Sequence, residues 1–327
     1  MKRRRSGRKL TILVLLALAL IAGGLFLRGW YGSGPLATET SFVVPEGSGL
    51  ASVAEKLERE GAIPSASGFQ LRARLLGGGG GALKAGEFLL PKHASPAQIL
   101  RIIESSATQR RFIAVPEGMP SIMVYDRVVA QPLLTGSLAI PAEGSVLPDS
   151  YDFERGESRQ AVVVRMQAAM RRTLSELWAK RAKDIAVKTP AEAVVLASIV
   201  EKETGKRSEQ RMVAGLYSNR LKQGMMLQAD PTIIYPITKG KPLGRRIRQS
   251  EIASVNGYNT YSMAGLPKGP ITNPGRASIA AVLDPAKTGA LYMVADGTGG
   301  HAFAATLDEH NRNVAKWFAI RKARGEL

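Results

Sequence analysis

Residues 189–235, TPAEAVVLASIVEKETGKRSEQRMVAGLYSNRLKQGMMLQADPTIIY, carry the element on which the chain is organised. Thr189 is a favoured helix N-cap, Pro190 suits the first helical position, and Glu192 stands where a capping-box carboxylate reaches back. The following AVVLASIV is apolar on nearly every side, which predicts a buried helix instead of an amphipathic one. Two carboxylates, Glu201 and Glu203, close it before Gly205 offers a stop. They face different ways. Glu203 follows Leu196, Ile199 and Val200 by seven, four and three residues and continues their bulky face, whereas Glu201 follows Val194, Ala197 and Ser198. An acid on a bulky apolar face loses hydration, so its pKa rises and it stays protonated near neutral pH, as a general acid must. A pair of exposed helix-end glutamates is the plainer alternative, but the negative end of the helix dipole is a poor place for them.

Outward from this helix the chain reads as α+β. A long helix over residues 158–183 precedes it, with Val162, Met166, Met170, Leu174 and Leu177 on one face. After it, Ser208 caps a further helix that ends at Gly224. MMLQADPTIIYPI then reads as a strand or extended turn bearing Gln228, Asp230, Thr232 and Tyr235, although Asp230 before Pro231 is also a helix-cap signal. A turn-rich stretch dense in Tyr, Asn and Thr (residues 257–275) suits a sugar cleft. A helix over 276–283, a hairpin turning at 296–300 and a last helix complete this half. Upstream, FVVPEG (42–47) and IAVPEG (113–118) form a short internal repeat, each a strand and turn leading into a helix. Such strand–helix–helix–strand units resemble LysM-like carbohydrate-binding modules; a plain spacer is the alternative. The run of glycines at 77–81 reads as a flexible tether.

Composition sets the compartment. Among 327 residues there is no cysteine, so disulfides and thiolate metal sites are excluded. The histidines are His93, His301 and His310, without an HExxH pattern; they read as packing or surface residues, and no metal or cofactor is expected. Six basic residues precede an apolar run that opens at Leu10 and closes at Leu27, long enough to span a bilayer. A cleaved signal peptide competes with this reading, but the run is long for one and no clean small-residue cleavage site follows. The basic tail belongs in the cytoplasm, which puts the body outside. The net charge of +18 keeps about +12 beyond that tail. Nucleic acid is the usual partner for such a charge, and the anchor argues against it; attraction to the membrane surface suffices.

Several long motifs occur in the order found in the YceG-like (MltG) family of membrane-anchored endolytic murein lytic transglycosylases, which the chain resembles over nearly everything after residue 145. They are VLPDSYDF (146–153), LASIVEKET (196–204), NRLKQGMMLQADPTIIY (219–235), YNTY (258–261), GLPKGPITNPG (265–275), YMVADGTGGHAF (292–303) and the pair His310-Asn311. The resemblance implies cleavage of peptidoglycan between N-acetylmuramic acid and N-acetylglucosamine, leaving 1,6-anhydromuramyl ends and terminating nascent strands. It implies Glu203 as the acid, like the Glu-Ser of lysozyme-like transglycosylases, with Glu201 structural. Gln228, Asp230, Thr232, Tyr258, Asn259, Thr260 and Tyr261 become candidate substrate contacts. Asp230 could instead direct water in a lysozyme-type hydrolase, and a non-catalytic wall-binding protein is the third reading. The implied partners are glycan strands, the inner membrane and peptidoglycan synthases, with the catalytic part periplasmic. The expected layout is a basic tail (1–9), a transmembrane anchor (10–27), a linker (28–40), a LysM-like region (41–140) and a mixed α+β catalytic domain (141–327).

Overall fold

The computed structural model describes residues 3–77, 83–105 and 108–326, with side chains from residue 9 onward. Most of the 77–81 glycine run lies outside the described residues. The chain divides into two compact units, residues 1–111 and 112–327. The second unit therefore begins upstream of residue 141 and takes in the second Pro-Glu-Gly turn.

In the first unit, helix α1 (Arg3–Tyr31) contains the apolar run; its 9–31 segment is long and apolar enough to cross a membrane, and no residue of its most apolar 18-residue stretch is buried. Only its end joins the core: Trp30 is buried against Phe69, and Arg72 donates to the Phe26 carbonyl at 3.0 Å. There follow β1 (Thr40–Val44), α2 (Leu50–Arg59), α3 (Ala66–Leu76), β2 (Gly86–Leu90) and α4 (Pro96–Glu104). β1 and β2 pair antiparallel, Phe42 opposite Phe88. The apolar stripe of α2 (Val53, Ala54, Leu57) packs onto the inner face of this ribbon with Ile99 and Ile103 of α4. Ser95 and Gln98 close a reciprocal capping box on α4. Glu87, buried in β2, takes two bonds from the Arg111 guanidinium, at 2.6 and 3.1 Å, and a third from the Ser41 hydroxyl.

The second unit runs β3 (Arg111–Ala114), α5 (Ser121–Val129), β4 (Ser150–Phe153), α6 (Arg159–Ala179), α7 (Pro190–Glu203), α8 (Gln210–Lys222), α9 (Asp230–Thr238), α10 (Gln249–Ile252), α11 (Arg276–Leu283), β5 (Tyr292–Ala295), β6 (His301–Ala304) and α12 (Leu307–Ala323). β3 pairs with β4, and β5 with β6 as an antiparallel hairpin. α7 is the core helix. Residues 193–200 are buried without a break, packed by α6, α8, α9 and α11. Its Thr189 hydroxyl accepts from Glu192 N at 3.1 Å, while the Glu192 carboxylate reaches one residue further than a capping box, to Lys188 N. The mixed α+β architecture with one N-terminal apolar helix is present.

Two local readings need correction. Residues 230–238 are the helix α9, not extended chain, despite the β-branched Thr232, Ile233 and Ile234. Pro231 in the first turn favours the helix start, and Thr232 turns its hydroxyl back to the Ala229 carbonyl at 2.6 Å, so the segment's polar group is satisfied inside the core. Likewise α8 begins at Gln210, after a tight 3₁₀ turn over Arg207–Glu209, and Ser208 does not cap it.

The GLPKGPITNPG motif is the strap that fixes α7. Ser198 Oγ accepts from Ile271 N at 3.1 Å. The buried Asn273 donates to the Met119 carbonyl at 2.9 Å and Ser121 Oγ at 3.1 Å, while its Oδ1 accepts from Val146 N at 3.0 Å. Gly144 must be glycine here. Its φ is +75°, and a Cβ would lie 2.6 Å from Pro270 and 2.9 Å from Val194.

Candidate active site

The two carboxylates at the end of α7 have different fates. Glu201 accepts from Gly275 N at 2.9 Å, satisfying a free amide at the start of α11. Glu203 turns into a cleft of about 240 Å³ together with Tyr217, Arg220, Gln228, Asp230, Tyr261 and His301. The residue keeps some exposure to that cleft, but its Oε1 is covered and has no hydrogen-bond partner in the protein. An unmatched buried acceptor costs free energy, roughly 1–3 kcal/mol, and is rare enough to need an explanation. Burial pushes the Glu203 carboxyl up to about 7; the Tyr217 hydroxyl opposes this, nearby Asp230 adds to it, and Arg220 opposes it again. A carboxyl poised near neutrality is the species that can both give and take a proton at working pH.

The cleft floor is built by α8. Arg220 sits seven residues after Val213 and three after Tyr217, on that helix's buried face. Its Nε donates to the Leu291 carbonyl at 2.6 Å, and its Nη1 donates to the Leu227 carbonyl at 2.8 Å and the Met226 carbonyl at 3.2 Å. The guanidinium lies 5.5 Å from the Tyr292 ring centre, and the His310 ring stacks on Tyr292 at 5.3 Å. Burial and the Arg220 charge lower the pKa of His310, so it packs as a neutral ring. Arg220 is thus a fixed cation at the base of the cleft. Tyr217 is fully buried beside Glu203, and desolvation followed by the Glu203 charge drives its pKa well up, so it stays a neutral phenol.

Of the residues singled out from the sequence, the cleft gathers Glu203, Gln228, Asp230 and Tyr261. Gln228 adopts a left-handed backbone (φ 53°) and donates its N–H to the Thr260 carbonyl at 3.1 Å, which delivers the side chain to the wall. Asp230, first residue of α9, accepts from the Tyr261 hydroxyl at 2.6 Å. The structure does not bring Thr232, Tyr258, Asn259 or Thr260 to the cleft. Thr232 and Thr260 are fully buried and bond to one another through their hydroxyls at 2.9 Å, and Thr260 also accepts from Ala229 N. Asn259 spends its amide on the carbonyls of Ile252 and Ser254, at 2.9 and 2.6 Å. Tyr258 packs on Tyr235 with Lys268 above its ring. Together they lock the 249–262 loop to α9 and so hold Tyr261 and Gln228 in place.

Three polar cleft residues were not singled out from the sequence as site residues: Tyr217, Arg220 and His301. An arginine at an otherwise apolar helical position was a usable signal for Arg220. For His301 the adjoining Gly299-Gly300 pair marked only a turn.

Against known proteins, the YceG-like family model matches residues 42–316. An endolytic murein transglycosylase of Bacillus subtilis (strain 168) is 27% identical over 338 residues, covering 92% of this chain and 92% of that protein. One from Streptococcus pneumoniae serotype 2 is 27% identical over 323 residues, covering 84% of this chain and 57% of its own length. Among solved structures, a YceG-like protein from Listeria monocytogenes shares the fold with a TM-score of 0.51 at 26% identity, over 84% of this chain and 99% of that one. With a family match across most of its length, the chain belongs to the YceG-like family.

Proposed function

We propose that this protein is an endolytic peptidoglycan lytic transglycosylase with Glu203 as its single acid–base group. The observation that carries the reading is the Glu203 carboxyl at the end of the core helix α7, with one oxygen unmatched and its pKa near 7. Its relatives' name, endolytic murein transglycosylase, supplies the reaction class.

In this mechanism the protonated Glu203 gives its proton to the glycosidic oxygen between N-acetylmuramic acid and N-acetylglucosamine. The C1–O bond breaks and an oxocarbenium-like sugar forms. The muramyl 6-hydroxyl then attacks C1 and returns its proton to Glu203, closing the 1,6-anhydro ring without water. Tyr217 and Arg220 favour the carboxylate that exists between the two transfers and so ease the proton's departure, while burial and the Asp230 charge favour its return. Gln228 and Tyr261 line the sugar site. Asp230 faces the same cleft, so hydrolysis directed by Asp230 is the second reading.

We assign β1–α2–α3–β2 to a LysM-like module on its strand–helix–helix–strand order with paired strands. We read α1 as a retained anchor in the inner membrane with the body periplasmic, because Trp30 at its end is part of the first unit's core. Peptidoglycan synthases at that membrane are the proposed protein partners.

The deciding experiment is mass spectrometry of products from purified glycan strands, with native protein and Glu203→Gln. Anhydromuramyl ends made by the native protein alone are the expected result. Reducing ends would turn the assignment to hydrolysis through Asp230. Strand binding without cleavage would leave a tethered wall-binding protein.

A further inference from the structure

His301 stands in the cleft with Glu203, yet the transglycosylase mechanism above gives it nothing to do. Its surroundings are specific. Glu209, in the 3₁₀ turn before α8, takes two bonds from His301, one from the backbone N–H at 3.2 Å and one at Nδ1 at 2.9 Å. The Thr204 hydroxyl lies 3.3 Å from the same carboxylate. Burial raises the Glu209 pKa, but the side-chain and backbone bonds from His301 outweigh it and leave the carboxyl below its usual value. An ionised carboxylate only accepts, so Nδ1 must carry the proton of this bond, and in the singly protonated ring Nε2 is then the acceptor. This fixes the tautomer and the ring plane, as a carboxylate does for a histidine that has work at its other nitrogen.

The sequence around the pair is shaped to it. A Cβ on Gly300 would lie 2.0 Å from Glu209 Oε1, so only glycine lets the carboxylate reach the His301 backbone. Lys206 bonds Thr298 Oγ1 at 2.9 Å and ties the 204–209 turn to the hairpin tip. The turn that follows Glu203 and the hairpin that bears His301 are therefore clamped to each other, and both side chains enter one cleft. His301 and Glu209 are each only about 17% and 16% exposed, a setting that shields the dyad from bulk water.

We propose that His301 contacts the substrate, its Nε2 accepting a hydrogen bond from a saccharide hydroxyl beside Glu203, with Glu209 as the positioning residue that sets the tautomer. This rests on the transglycosylase reading for the identity of the saccharide. A hairpin clamp with no ligand role is the competing account, and asparagine separates the two. His301→Asn retains an N–H placed like Nδ1, for Glu209, and removes Nε2; His301→Gln places an amide oxygen near the Nε2 position.

The test uses the full chain in the Glu203→Gln background, with affinity for stem-free glycan strands measured calorimetrically and thermal stability measured alongside. The expected result is a weakening of about ten- to a hundredfold in His301→Asn, the scale of one hydrogen bond lost from a shielded site, with partial recovery in His301→Gln and an unchanged melting temperature in His301→Asn. Glu209→Gln is expected to weaken binding similarly, because its amide can donate to Nδ1 and favour the wrong tautomer. Affinities within twofold of the background for both His301→Asn and Glu209→Gln would overturn the proposal. If the native chain cleaves nothing, the transglycosylase reading falls, and the binding comparison still decides whether His301 touches a saccharide.

Discussion

The molecule buries a glutamate in each of its two units, and they could hardly be treated more differently. Glu87 in the first unit is matched: the Arg111 guanidinium grips both its oxygens, and the Ser41 hydroxyl bonds it as well. Glu203 in the second unit faces a cleft with Oε1 sealed and unmatched, and a nearby cation, Arg220, commits its Nε and Nη1 groups to backbone carbonyls. Burial by itself therefore does not mark a working acid. A carboxylate held by an arginine fork is favoured in its charged form, whereas a carboxyl with no cation bonded to it and left facing an opening can exchange a proton with what enters. The second arrangement is costly to fold, which is why its persistence points to chemistry.

The sharpest way to break this contrast is to neutralise each glutamate in turn. Glu203→Gln is expected to cut the cleavage rate by about 10²–10⁴-fold, the usual reach of a general acid–base group, while the chain stays folded. Glu87→Gln should do the reverse. Leaving Arg111 without its counter-charge is expected to cost about 3 kcal/mol, the low end for a broken buried pair because Arg111 keeps some exposure. Denaturant unfolding would register that loss, with glycan cleavage per folded molecule unaltered. Equal losses of activity in the two variants would erase the distinction.

A pH series sharpens it further. The folded pKa of Glu203, about 7, lies above its ordinary value of 4.5, so the folded chain binds this proton more tightly than the unfolded chain. The group's contribution is thus most favourable below about 4.5 and is lost as pH rises through about 7, a change on the order of 3 kcal/mol. Glu203→Gln imitates the protonated form, so it should gain stability over native protein at pH 8 and not at pH 4.5. Cleavage should fall on the alkaline side of about pH 7 as the free acid disappears. A stability difference that is flat across this range would mean the carboxyl is not desolvated.

How much of this was legible beforehand divides along physical lines. The buried α7 and the divergence of Glu201 and Glu203 follow from 3.6-residue periodicity, a local property of the chain. The β5–β6 hairpin followed from its turn residues in the same way. The extended reading of 230–238 failed because β-branched residues suggest strand, while Pro231 and the burial of Thr232 decide for helix, and burial is a tertiary fact. The cleft was harder still. Tyr, Asn and Thr in YNTY suggested sugar contacts, yet Asn259 and Thr260 spend their polar groups on neighbouring carbonyls and amides. Composition cannot tell a residue that touches ligand from one that holds its neighbour. Arg220 and His301 arrive at the cleft from segments that meet only on folding; helical spacing puts Arg220 on a buried face but does not say what it faces, and nothing comparable marks His301.

The smallest effect concerns the other carboxylate of α7. Glu201 lies two residues from Glu203 and faces away from the cleft, its carboxylate bonded to the Gly275 amide at the start of α11. Gly275 itself has no side chain to cap that helix, so Glu201 acts in place of a capping residue and adds a negative charge at the positive end of the helix dipole. Glu201→Ala is accordingly expected to cost about 1 kcal/mol, read as a lowered denaturation midpoint, with the rate of strand cleavage near native. Because α11 packs on α7, the loss should appear as easier local opening of residues 276–283 in amide hydrogen exchange before it appears in global unfolding. A collapse of activity as deep as that of Glu203→Gln would instead make the two glutamates a catalytic pair and remove the division of labour that the helical face assigns them.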